Sequence, residues 1–197
     1  MPGRFHGAAH RRVATALILY LTGSSAQAAI VCGPTTALSV PATTEGLYVN
    51  LVSGVSGITE ATVPGFDIDI YAAASTNPSG QMRFYWGPES TGGAGVASNG
   101  DIYAVLGAST LIDASSLFTR AAFTGNTHAW QAGTSGYLGL RFRNEGTTLI
   151  NYGWIALSTS APLGFPATIE GWCYEDSGAG ITTPALPDLI FAHGFEP

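Results

Sequence analysis

In the clearest segments of this chain apolar residues recur at every second position, in short runs, and not every third or fourth. Residues 66–72 (FDIDIYA) are the clearest case. Phe66, Ile68 and Ile70 fall on one face and Asp67, Asp69 and Tyr71 on the other, the alternation of a half-buried strand. Residues 137–143 (YLGLRFR) repeat it, with Leu138, Leu140 and Phe142 inward and Arg141 and Arg143 outward. Asn144-Glu145-Gly146 then turns the chain, and residues 149–158 (LINYGWIALS) return as the expected hairpin partner. Further strands are predicted over 47–53, 82–86, 102–106 and 167–174, with an entry strand around Cys32 and a loop after it. Asn77-Pro78-Ser79-Gly80 is a turn signal. Residues 87–100 read as a long Gly/Ser/Thr-rich loop. Residues 111–118 read as a short strand end with a helical turn, and 119–134 as irregular. No amphipathic helix of three turns is visible beyond residue 28. Short strands separated by Gly and Pro turns predict an all-β fold, a jelly-roll-like antiparallel β-sandwich, in one domain over 29–183. Residues 184–197, with three prolines, read as a tail.

The N-terminus departs from this pattern. Arg4, Arg11 and Arg12 precede an apolar run over 13–21 (VATALILYL), and Ala26-Gln27-Ala28 supplies small residues at alternate positions. That order is an export signal over 1–28, cleaved between Ala28 and Ala29. The apolar run is shorter than the roughly 20 residues a bilayer span needs, so no membrane-spanning segment is expected after cleavage. The expected location is the periplasm, the cell surface or the medium. Cys32 and Cys173 are the two cysteines, and an even count behind an export signal predicts one disulfide, tying the first strand to the last core strand.

Charge narrows the partners. Beyond residue 28 the chain keeps four arginines, no lysine and all 13 acidic residues, a balance of −9. Nucleic acid and anionic lipid need clustered cations and are excluded as partners. The missing lysine also excludes Schiff-base chemistry.

Candidate chemistry is sparse. Asp67 and Asp69 are two apart on one strand, with Cα atoms roughly 6–7 Å apart. They are a candidate calcium pair, with Asn77, Asn99 and Asp101 as loop ligands, since calcium collects clustered oxygens. The competing reading is a solvated acidic strand face. As the acid and nucleophile of a glycoside hydrolase the same pair gives a third reading, with Glu170, Glu175 and Asp176 as further acids. His128 and His193 are the only histidines beyond residue 28, too few for a serine hydrolase or a zinc site to suggest itself. Tyr71, Tyr85, Trp86 and Trp130 are the candidate ligand-binding aromatics, with Arg83, Tyr152, Trp154, Trp172 and Tyr174 also considered. Ring faces stack on the apolar patches of sugars, and core packing is the alternative; Trp154 and Trp172 are the first choices for core.

The blocks GYLGLRFRNEG, NYGWIALSTS and ATIEGWCYEDSGAGITT, over 136–183, resemble a pattern of secreted bacterial β-sandwich proteins, several of them sorted to the cell surface. YAVLGASTLIDASSLF resembles the lead-in of that pattern, and LIFAHGFE a tail shared by unrelated secreted proteins. The resemblance implies a sandwich and export and transfers no active site. The reading is therefore an exported, non-catalytic interaction or structural module with a surface or extracellular partner. A carbohydrate-binding module, aided by calcium, is the alternative.

Overall fold

A computed structural model describes residue 3 and residues 28–74, 80–86, 95–119 and 125–185. The bulk of the expected signal, the centre of the turn at 77–79, residues 87–94 and the tail from 186, with His193, lie outside the described residues.

Among the described residues fourteen strands run in chain order: β1 (Ile30–Gly33), β2 (Leu38–Val40), β3 (Leu47–Val49), β4 (Ser56–Gly57), β5 (Ile68–Ala72), β6 (Met82–Trp86), β7 (Gly95–Asn99), β8 (Ile102–Tyr103), β9 (Leu111–Ile112), β10 (Phe118–Thr119), β11 (Ser135–Arg143), β12 (Ile150–Ser158), β13 (Ala167–Glu175) and β14 (Ile181–Thr182). A single helical turn, α1 (His128–Gln131), precedes β11. The large sheet has the order β1-β13-β12-β11-β7-β10, with β2 beside β13 and β8 beside β7; the small sheet is β4-β3-β5-β6. Every ladder among the described residues is antiparallel.

The two sheets pack face to face over one core. Ile68, Ile70, Phe84 and Trp86 from the small sheet meet Leu138, Leu140, Phe142, Ile155 and Trp172 from the large one. The alternation over 137–143 is realised as expected: Leu138, Leu140 and Phe142 are in this core, while Tyr137 faces the other way. That other face is covered too. Ile112 of β9 and Ile181 of β14 pair in a two-stranded ribbon and pack on Tyr137, Tyr152, Trp154 and Ala156. A sheet buried on both sides needs apolar residues at nearly every position, which is why β12 reads INYGWIALS, buried from Asn151 to Leu157.

The disulfide joins Cys32 to Cys173, directly opposed in the β1–β13 ladder. The fold is thus a single-domain, disulfide-bonded antiparallel sandwich with a small third layer. Among the described residues no helix is long and apolar enough to cross a membrane.

Several local expectations change. The helical turn expected within 111–118 is not formed; β9 opens that stretch and β10 closes it. Residues 95–99 form β7 where a loop was expected, because Val96 and Ala97 bury against β11. Thr127–Ala132 contains a helical turn, α1, inside the stretch read as irregular. The loop after Cys32 holds β2, which pairs with β13. Phe66 does not join Ile68 and Ile70: it precedes β5 and packs against Tyr48 and Val63 on the outer side of the small sheet.

Candidate functional site

The outer face of the small sheet carries the polar half of the FDIDIYA alternation. Cross-strand register sets Gly57, Tyr48, Asp69 and Tyr85 in one row across β4, β3, β5 and β6. Tyr71 and Arg83 stand opposite each other in the next row. Paired positions of this kind bring side chains into contact across strands. Tyr85 is 42 % exposed, whereas Tyr48 is 8 % and Asp69 only 3 % exposed. The Tyr48 and Phe66 rings meet edge to face with centroids 4.8 Å apart, and Phe66 and Tyr85 lie 6.2 Å apart. The result is an aromatic patch around a carboxyl group.

Asp69 is chemically unusual. The Leu47 N–H lies beside its carboxylate, and its Oδ1 is buried without a hydrogen-bond partner. Burial foremost, then the neighbouring charges of Glu45 and Glu60, push its pKa up to about 8, against the pull of the Leu47 N–H. A carboxyl that stays protonated near neutrality both donates and accepts hydrogen bonds. Tyr48 is pushed up to about 12, by burial first and then by Asp69, Glu45 and Glu60. Buried groups with shifted acid constants mark candidate functional sites.

Asp67 has a different task. It is buried, and its Oδ2 accepts the Leu51 N–H at 2.8 Å. Its pKa is raised by burial first; the Leu51 bond opposes that and the charge of Glu145 adds to it. Asp67 thus supports the turn after β3, while Asp69 faces Glu45 and Glu60. Asn99 and Asp101 lie at the β7–β8 turn, on the large sheet, and Asn77 falls outside the described residues. Among the described residues no group of three His, Cys, Asp or Glu is placed to hold a metal ion.

The four candidate aromatics divide. Tyr85 is exposed and Tyr71 half-buried on the outer face. Trp86 and Trp130 are in the core, at 2 % and 0 % exposure; Trp130 sits edge-on to Phe84, centroids 6.3 Å apart. Trp154 and Trp172 are also buried. Exposed His128 opens α1.

Tyr48, Glu45 and Glu60 were missing from the candidates drawn from sequence. The signal for Tyr48 was present: in Leu47-Tyr48-Val49 the middle residue must point away from its neighbours. Nothing local marked Glu45 or Glu60, which reach the face through the β2–β3 connection and a 3-10 turn over Glu60–Thr62. No family model, curated protein or solved structure matches the chain.

Proposed function

We propose that the protein is an exported, non-catalytic interaction module that holds its partner on the outer face of the small sheet. The row Tyr48–Asp69–Tyr85 carries this reading. It joins an exposed ring to a buried carboxyl with an unpartnered oxygen. Tyr85 is the part of that row an incoming partner would meet, and the buried Asp69 carboxyl beside it sets the polarity under the ring.

A second reading, carbohydrate binding, is favoured by Tyr85 specifically. Its ring offers a stacking surface in register with a carboxyl that both donates and accepts. The test is a glycan array and a binding assay on cells of the producing organism, with the parent, Tyr85→Ala and Asp69→Asn. Specific glycan binding lost in both variants supports the carbohydrate reading. Cell binding lost in both, with the array blank, supports a protein partner. Polysaccharide turnover that Asp69→Asn abolishes would overturn the non-catalytic reading. Binding unchanged in both variants would remove the face.

A further inference from the structure

The chain enters β1 through Ala29, and the ladder with β13 begins at Ile30 opposite Glu175. One step outward the Asp176 N–H still donates to the Ala29 carbonyl, at 3.1 Å. The Ala29 nitrogen donates instead to the side chain of Asp176, 2.9 Å from Oδ1. A backbone nitrogen therefore meets an anion at the very residue that the Ala26-Gln27-Ala28 pattern makes first in the processed chain.

As an amide, that nitrogen is uncharged. Hydrolysis of the 28–29 peptide bond adds water across it: Ala28 leaves with the carboxylate, and the Ala29 amine takes up a proton. The same nitrogen, in the same place, then becomes a cation. The bond to the Asp176 carboxylate, charge-assisted already, then gains the attraction of two opposite charges, a modest gain at an exposed site.

We propose that cleavage between Ala28 and Ala29 sets the new α-ammonium group on the Asp176 carboxylate, so that processing completes the clamp holding β1 to β13. The pair lies three ladder steps from the Cys32–Cys173 bond. The surroundings are acidic: the Glu175 carboxylate accepts the Ser177 N–H at 3.0 Å and its hydroxyl at 2.6 Å. Tyr174 feels the charges of Asp176, Glu145 and Asp67. The inference rests on the export half of the proposed function and not on the binding face.

The sequence has no lysine, so the α-amino group is the one primary amine of the processed chain. Amine-specific reductive methylation with carbon-13 formaldehyde labels that group alone. The experiment expresses the full-length gene in an exporting bacterial host, reads the intact mass of the product, and titrates the labelled amine by NMR. The parent is compared with Asp176→Asn and with Glu170→Gln, an exposed acid elsewhere on β13. We expect a chain beginning at Ala29. Its amine should titrate roughly half a unit higher in the parent and in Glu170→Gln than in Asp176→Asn, the size an exposed ion pair gives. A product that retains residues 1–28 would overturn both this proposal and the export reading. One that begins at Gln27, or at Ala29 with equal titration in all three proteins, would overturn the ion pair alone.

Discussion

Cys32 and Cys173 face each other directly across the β1–β13 ladder, with Cα atoms 4.1 Å apart although 141 positions separate them in sequence. β1 is four residues long and sits at the edge of the large sheet, so few ladder bonds hold it. The disulfide bears on this strand most. Closing so long a loop is worth about 4–5 kcal/mol in the chain-entropy model. Replacing both cysteines with serine should lower stability by about that amount in urea unfolding. An unchanged unfolding midpoint would mean that the bond clamps nothing.

Asp69 gives stability a slope against pH. Its pKa is about 8 in the folded protein against an ordinary 3.8. Between those values the folded state keeps a proton that the unfolded chain has lost. Stability from this residue is therefore fully present below about pH 4 and declines as pH rises towards 8. Asparagine cannot ionise, so Asp69→Asn should gain on the parent steadily from pH 4 to 8, with a constant difference above that. Asp67, whose pKa is also raised, contributes to both proteins alike. Urea unfolding of the pair at several pH values checks this; parallel curves would show that Asp69 is ionised in the fold.

Gly139 tests the third layer. A Cβ there would come 2.7 Å from Leu106 Cδ1, 2.8 Å from Ala97 Cβ and 3.3 Å from Ile112 Cδ1. Gly139→Val should cost about 1–3 kcal/mol through overpacking. Gly107→Ala, where a Cβ meets nothing within 4 Å, should stay within about 0.5 kcal/mol of the parent. Equal stabilities would mean that the β9–β14 segment does not lie on the large sheet.

Trp130 and Tyr85 should separate stability from binding. Trp130→Ala empties a fully buried site and should cost about 3–5 kcal/mol. Tyr85→Ala removes a ring that is 42 % exposed and should leave stability within about 1 kcal/mol. Thermal unfolding orders the two; the reverse order would place the core elsewhere.

The strand faces legible in sequence were those with strict period-two alternation. Leu138, Leu140 and Phe142 declared their face because glycine and charge interrupt them, and FDIDIYA placed Ile68 and Ile70 inside. What stayed hidden depends on contacts distant in sequence. Val96-Ala97 is too short and too flanked by glycine to read as a strand, and becomes β7 only because β11 lies beside it. Trp86 and Trp130 looked the same as Tyr85 in sequence; only the packing of two sheets assigns the tryptophans to the core and the tyrosine to solvent. Asp67 and Asp69 share a strand parity, yet the turn at Leu51 captures the first while the second stays among Tyr48, Glu45 and Glu60. The row at the candidate site was half visible: Asp69 and Tyr85 were named, but Tyr48 joins them only through the β3–β5 register.

The most direct measurement is the binding isotherm of the labelled protein on cells of the producing organism, taken for the parent, Tyr85→Ala and Leu149→Ser. Leu149 is an exposed residue just before β12, on the large sheet. Binding should weaken at least tenfold, roughly 1.4 kcal/mol, for Tyr85→Ala and hold for Leu149→Ser. Equal isotherms for the parent and Tyr85→Ala, with both folded, would contradict the small-sheet face as the place of contact.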